Sequence, residues 1–158
     1  AASDVYKRQI LGSDQGRDAY KNKLLRLVEQ HRLNNDVIFL EHANSMPVAY
    51  SIANVVVSAS IEPEAFGRVS VEAQSMKRPI IASDIGGSKE TIIDNRTGLL
   101  FKSEDPKSLS EKIDNIFRSD DTTLNAMGNS GRKNVEQKFN VEKMCFSTYS
   151  EYKKLINA

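Results

Sequence analysis

The chain has 158 residues, 39% of them hydrophobic and 27% charged, and its 22 basic and 21 acidic side chains give a formal net charge of +1. This length fits one domain with a core large enough to need neither disulfides nor a structural metal. The balanced charge argues against nucleic acid as the main partner and against a polybasic membrane anchor. Because no apolar run approaches the roughly 18 residues of a membrane span and no signal-peptide pattern opens the chain, we predict a soluble, cytoplasmic protein.

Short β-branched runs alternate with helical patterns along the chain, which is typical of parallel strands joined by helices. Strands are predicted at residues 6–11, 37–40, 55–58, 80–82 and 99–101, and helices at 18–31, 47–52, 69–76, 89–93, 106–118, 122–138 and 141–156. We therefore predict an α/β fold with a doubly wound, Rossmann-like parallel sheet. The first strand is interrupted by charged residues, so residues 1–9 are a candidate non-native leader and residues 10–158 are predicted to form one domain.

The segment 62–72, which follows the third predicted strand, carries the strongest chemical signal. Doubly wound sheets bind ligands beyond the carboxyl ends of their strands, where this segment begins. Phe66, Gly67 and Arg68 fall at the start of the next helix. Unpaired backbone N–H groups and the helix dipole favour an anion such as a diphosphate there, and Gly67 has no side chain to obstruct it.

Two glutamates flank this helix start. Glu64 precedes the helix, and Glu72 lies one to two turns inside it. A carboxylate beside a phosphate site can accept hydrogen bonds from both hydroxyls of a vicinal diol, as acidic residues do with ribose in other doubly wound sheets. One glutamate would hold a ribose and the other a sugar, with the phosphates between them. Either glutamate alone is more simply an exposed residue, but the combination predicts a nucleotide-sugar site.

The segments 64–72 and 73–91 together resemble the donor-binding domain of group 1 glycosyltransferases, which are retaining enzymes of the two-domain GT-B fold. The matching features are the two glutamates, the strand led by Pro79, the pair Gly86-Gly87, and Glu90. The resemblance implies that the chain corresponds to the C-terminal half of such an enzyme. One departure is Lys77, which stands where the family usually has glycine, so the geometry of that turn is expected to differ.

The resemblance also assigns roles to individual residues. Glu64 would contact hydroxyls of the transferred sugar at the reacting centre, orienting it rather than acting as a base or nucleophile, and Glu72 would hold the ribose. The full set of implied donor-binding residues is Glu64, Phe66, Gly67, Arg68, Val69, Glu72, Gly86, Gly87 and Glu90.

Two of the candidate residues keep alternatives. Glu90 is equally well explained as a helix cap or as a buried carboxylate that pins its loop. His42 follows the second predicted strand, near the expected nucleotide, and contact with the base or phosphate stands beside simple loop polarity.

The implied reaction is transfer of a hexosyl group from a nucleoside-diphosphate sugar to a glycan or lipid acceptor, as in the synthesis of bacterial surface polysaccharide or lipopolysaccharide, by an enzyme peripheral to the membrane. No cofactor and no metal are expected, because histidine, cysteine and carboxylates have no metal-site spacing and the family's chemistry generally does without one. The family's N-terminal acceptor domain is absent from this sequence, so the chain alone is expected to bind nucleotide weakly and to transfer nothing.

Other functions stay open at this point. A nucleotide-sugar 2-epimerase of GT-B architecture and a non-catalytic nucleotide-binding module both suit the same pattern. A dehydrogenase would need Gly-x-Gly-x-x-Gly after the first strand, which residues 12–16 do not supply. A phosphoacceptor receiver would need acidic residues ending its first strand and an aspartate ending its third, where Leu11-Gly12 and Ser58 stand instead.

Overall fold

A computed structural model describes residues 7–13, 16–41 and 43–156 of the chain. Their secondary structure alternates between strands and helices up to the fifth strand, and three helices follow. In chain order the elements are β1 (Arg8–Leu11), α1 (Asp18–Gln30), β2 (Val37–Leu40), α2 (Met46–Ile52), β3 (Val56–Ser58), α3 (Arg68–Ser75), β4 (Ile80–Ser83), α4 (Ser88–Thr91), β5 (Leu99–Phe101), α5 (Pro106–Arg118), α6 (Asp121–Lys138) and α7 (Val141–Ile156). The α/β prediction is confirmed, because all strand pairings among the described residues are parallel.

The chain divides into two compact units, Ala1–Met46 and Pro47–Ala158. In the first unit, β1 pairs in parallel with β2, and Ile10 lies opposite Phe39. Helix α1 makes the connection between the two strands, as parallel pairing requires. The Lys7 ammonium donates a hydrogen bond of 2.7 Å to the carbonyl of Asn35 beside the start of β2.

The second unit is built on a three-stranded parallel sheet in the order β3-β4-β5. All four residues of the central strand β4 are buried, as expected of a parallel strand covered on both faces. Ile81 of β4 packs in one cluster with Leu99, Phe101 and Ile116. This core joins β4 and β5 to α5, and the loops that follow the carboxyl ends of β3 and β4 carry the candidate site.

A buried amide network joins α3, α4 and α6. The Gln74 side chain donates to the carbonyls of Ser70 and Thr91, at 3.1 and 3.0 Å. Asn134 of α6 donates to the Gln74 amide oxygen at 3.1 Å and to the Thr91 carbonyl at 3.0 Å. Because Gln74 and Thr91 are wholly buried, these hydrogen bonds satisfy groups that water does not reach. They set the position of α4 relative to α3.

Helix α3 ends in a left-handed turn at Lys77, whose φ is 56°. The Arg78 N–H donates to the Ala73 carbonyl at 2.9 Å, and the Lys77 N–H donates to the Gln74 carbonyl at 3.0 Å, which is the Schellman pattern. The expected change of turn geometry does not occur. Lys77 takes the left-handed conformation that favours glycine, since the two hydrogen bonds of the turn, donated by Lys77 and Arg78, require it.

Candidate functional site

The N-terminus of α3 is shaped by a glycine in a conformation that other residues rarely adopt. Gly67 is the N-cap of α3 and has φ 77° and ψ 55°. A Cβ at this position would lie 3.3 Å from both the carbonyl carbon of Gly87 and the nitrogen of Ser88. Glycine is therefore favoured at position 67 for two reasons, its left-handed backbone conformation and the close approach of the backbone of residues 87 and 88. The N–H groups of Arg68 and Val69, in the first turn, have no intrahelical acceptor.

The Gly86-Gly87 loop packs directly on the segment that carries Glu64 and Phe66. The Gly87 N–H donates a hydrogen bond of 2.8 Å to the Glu64 carbonyl. A Cβ on Gly86 would lie 2.6 Å from that same carbonyl oxygen, and a Cβ on Gly87 would lie 2.5 Å from the carbonyl oxygen of Phe66. Neither position has room for a side chain. The two loops, more than twenty positions apart by residue number, thus form one surface.

Glu64 is part of this surface and is exposed to solvent. The hydroxyl of Ser60, which follows β3, donates a hydrogen bond of 2.6 Å to Glu64 Oε1. The Ser60 carbonyl in turn accepts from the Ser103 hydroxyl at 3.4 Å. Sequence reasoning did not single out Ser60. The available signal was a hydroxyl just past a strand end and four residues before a candidate glutamate.

Glu72 is held by two donors from different parts of the fold. The Tyr50 hydroxyl, on α2, donates a hydrogen bond of 2.8 Å to Glu72 Oε2. The guanidinium of Arg68, one helical turn earlier, lies 3.0 Å from Glu72 Oε1. Tyr50 is 5% exposed, whereas the Arg68 side chain is 82% exposed and that of Glu72 33% exposed. One donor is fixed in the core and the other lies at the surface.

The environment of Tyr50 raises the pKa of its phenol. Burial is the largest cause, since it disfavours the phenolate, and the hydrogen bond to Glu72 and the negative charge of Glu72 act in the same direction. The positive charge of Arg68 acts in the opposite direction with less effect. Tyr50 is therefore a neutral donor throughout the physiological pH range. Sequence reasoning missed Tyr50 because it precedes Glu72 by 22 positions.

The other predicted residues lie around this surface or outside the described residues. Phe66 is 47% exposed, and its ring meets that of Phe139 edge to face at a centroid distance of 5.6 Å. Glu90 lies in α4 and is exposed, so its interpretation as a buried carboxylate is wrong. His42 falls outside the described residues, as do residues 1–6 of the expected leader.

The structure thus brings together Glu64, Phe66, Gly67, Gly86 and Gly87, with Glu72 one to two turns into the helix that Gly67 begins. Among residues 7–13, 16–41 and 43–156, no three histidine, cysteine or acidic side chains are grouped so that they would hold a metal ion. Within the same residues, none of the helices has both the length and the apolar character that a membrane crossing demands.

Comparison with known proteins places these features in a family. The model of the glycosyl transferases group 1 family matches residues 4–134. The capsular polysaccharide biosynthesis glycosyltransferase CapM of Staphylococcus aureus is 33% identical over 106 residues, which are 67% of this chain and 27% of CapM.

Solved structures show the same fold. The glycosyltransferase of Rickettsia africae ESF-5 superposes with a TM-score of 0.88 at 28% identity, covering 96% of this chain and 40% of that one. Staphylococcus aureus TarM, crystallised with fondaparinux, α-GlcNAc-glycerol and UDP, superposes with a TM-score of 0.77 at 25% identity, covering 96% of this chain and 29% of TarM. The chain therefore spans well under half the length of these relatives, and over that span it has the fold of GT-B glycosyltransferases. The chain belongs to the group 1 glycosyl transferases.

Proposed function

We propose that this chain is the donor-binding, C-terminal half of a retaining glycosyltransferase that transfers a hexosyl group from a nucleoside-diphosphate sugar to a glycan or lipid acceptor. One observation carries the proposal. The Gly86-Gly87 loop packs on the Glu64 segment so closely that no side chain fits between them, and beside this contact α3 begins with N–H groups that have no intrahelical acceptor.

In this proposal, the diphosphate lies at the N-terminus of α3. The N–H groups of Arg68 and Val69 and the positive end of the helix dipole attract phosphate oxygens. Gly67 and Gly87 let the two loops pack closely beside this helix start, because a side chain at either position would meet the backbone of the other loop. The same groups stabilise the negative charge that grows on the departing nucleoside diphosphate, which is electrostatic stabilisation of the transition state. As the family resemblance implies, basic side chains of the whole enzyme supply further positive charge at the diphosphate, and no metal takes part.

The two glutamates orient the donor on either side of the diphosphate. Glu72, already fixed on both oxygens by donors, accepts hydrogen bonds from the ribose diol. Glu64, held by Ser60, accepts from hydroxyls of the transferred sugar and orients it without acting as base or nucleophile. Phe66 contributes its backbone amide, and Glu90, an exposed residue of α4, is assigned to the donor site on the family resemblance alone. His42 is assigned to the nucleotide on its sequence position alone.

The names of relatives support the substrate class. CapM is a capsular polysaccharide biosynthesis glycosyltransferase, and the TarM crystals contain UDP. We infer that the whole protein builds a bacterial surface polysaccharide or lipopolysaccharide, peripheral to the cytoplasmic face of the membrane. An N-terminal acceptor domain supplies the contacts that this chain lacks.

Titration of the chain with UDP, GDP and ADP and their sugar conjugates, in the presence of EDTA, tests the proposal. We expect one nucleotide to bind selectively and Glu72→Gln to weaken it about 10-fold or more, because at least one charge-assisted hydrogen bond worth about 1.5–3 kcal/mol is lost. Glu151→Gln, on exposed α7, is the matched control and leaves the affinity unchanged.

Two results would overturn the proposal. The first is no binding of any of these nucleotides at millimolar concentration. The second is equal affinity in the wild type and Glu72→Gln. The division of labour between the halves has its own test, in which the chain is incubated with donor and acceptor. We expect no release of nucleoside diphosphate, and robust transfer by the chain alone would refute the assignment to half an enzyme.

A further inference from the structure

Tyr50 stands out because its ring is buried in the fold while its hydroxyl reaches the candidate site. It is the one buried residue of α2, and its hydroxyl lies 2.8 Å from Glu72 Oε2. A phenol on a buried ring has little freedom, since packing fixes both of its side-chain torsions. The position of this donor is therefore set by the packing of the second unit and not by solvent.

The hydrogen bond leaves Glu72 able to bind a diol. An ionised carboxylate has about four acceptor positions, two on each oxygen. Tyr50 occupies one on Oε2, and Arg68 approaches Oε1, so each oxygen keeps acceptor capacity. A vicinal diol presents two hydroxyls that match two oxygens of one carboxylate. The hydrogen bond from Tyr50 thus selects one orientation of the Glu72 carboxylate and leaves acceptor positions on both of its oxygens for the ligand.

The two donors differ in how firmly they can hold the Glu72 carboxylate in one orientation. The Arg68 side chain is 82% exposed, and an exposed ion pair between flexible side chains contributes little and is screened by salt. Tyr50 is buried and stays protonated, because burial raises its pKa. Glutamate has several rotatable bonds whose freedom must be lost on binding. A fixed donor restricts the Glu72 side chain before the ligand binds. Less conformational entropy is then lost on binding, so the preorganised carboxylate binds more tightly.

We propose that Tyr50 is a positioning residue that holds the Glu72 carboxylate in the orientation that receives the ribose diol of the donor nucleotide. The inference rests on the proposed function and adds to it a residue on α2, distant in sequence from the loops that bind the donor. Tyr50 acts through Glu72 and does not itself touch the ligand.

The test compares each variant's affinity for the preferred nucleoside diphosphate with its affinity for the 2′-deoxy form of that nucleotide. The wild type is expected to bind the ribonucleotide more tightly. Tyr50→Phe removes only the hydroxyl, and we expect this preference to fall about 5- to 10-fold, with a smaller loss of affinity for the deoxynucleotide, which offers Glu72 the 3′-hydroxyl alone. Tyr152→Phe, which removes an exposed hydroxyl on α7, is the control and keeps the wild-type preference.

The outcomes separate this inference from the proposed function. If Glu72→Gln abolishes the preference and Tyr50→Phe retains it, the positioning role is wrong and the proposed site stands. If Glu72→Gln also retains it, or if neither nucleotide binds, the proposed function fails and this inference fails with it. Equal weakening of both nucleotides by Tyr50→Phe would indicate a merely structural role and overturn the inference.

A second measurement covers the case in which Tyr50→Phe loses stability. The double variant Tyr50→Phe/Glu72→Gln is compared with Glu72→Gln alone, both checked for folding by circular dichroism. We expect the tyrosine change to have no further effect on the ribose preference once Glu72 is gone, because Tyr50 acts only through that carboxylate. An additional loss of preference in the double variant would contradict the proposal.

Discussion

Replacing Lys77 by glycine is expected to give a more stable protein than replacing it by alanine, because glycine relieves backbone strain at this position. Lys77 occupies the first position after the α3 C-cap with a φ of 56°, in a Schellman turn closed by the N–H groups of Lys77 and Arg78. A residue with a Cβ is strained in this conformation, and glycine is not. The turn has little room to relax, because a Cβ added at Gly128 of α6 would already lie 3.0 Å from the Lys77 carbonyl carbon.

The size of the effect follows from opposing contributions. Left-handed backbone costs a residue other than glycine about 1–2 kcal/mol. Glycine lowers the free energy of unfolding by about 0.4–1 kcal/mol, because it gives the unfolded chain greater conformational freedom. Loss of the lysine charge near the C-terminus of α3 removes a further 0.3–1 kcal/mol or so. Lys77→Ala loses the same charge and keeps the strain, so Lys77→Gly should exceed Lys77→Ala in stability by about 1 kcal/mol.

Urea unfolding followed by circular dichroism measures this difference, and thermal unfolding provides a second readout. A difference of 1 kcal/mol corresponds to a Tm higher by about 2–4 °C in Lys77→Gly than in Lys77→Ala for a chain of this size. Equal stability of the two variants, or lower stability of Lys77→Gly, would refute the reasoning that the left-handed turn is strained. The comparison does not depend on nucleotide binding.

Two further predictions concern the site and the pH dependence of stability. Gly87→Ala places a Cβ 2.5 Å from the Phe66 carbonyl oxygen, so we expect a loss of about 1–3 kcal/mol in the free energy of unfolding together with loss of nucleotide binding; wild-type values in both assays would contradict it. Hydrogen bonding from Thr123 lowers the pKa of Asp120, the N-cap of α6, so its contribution is present above its pKa in the unfolded chain and is lost as pH falls through the lower folded value. We expect the free energy of unfolding of Asp120→Asn, measured by urea denaturation between about pH 2 and pH 6, to fall less steeply with decreasing pH than that of the wild type. An equal dependence on pH in the two proteins would contradict this expectation.

The sequence by itself was sufficient for the order and approximate bounds of the elements. Helix and strand periods are properties of a few neighbouring residues, so a pattern such as the buried run 80–82 can be recognised without knowledge of its partners. The same holds for Gly67 at a helix start, and for Glu64 and Glu72 on either side of it, because the spacing along one segment fixes their relation. Of the predicted strand 6–11, the structure places residues 8–11 in β1 and residue 7 before it, while residue 6 lies outside the described residues.

Only the tertiary structure decided what surrounds these residues. Tyr50 of α2 meets Glu72 of α3 across 22 positions of sequence, and Gln74 meets Asn134 across 60. Such contacts depend on how whole elements pack, which no local period encodes. The exposure of Glu90 and the retention of a left-handed turn at Lys77 have the same origin. Neighbouring hydrogen bonds and close packing, rather than the propensity of the residue itself, determine the conformation there.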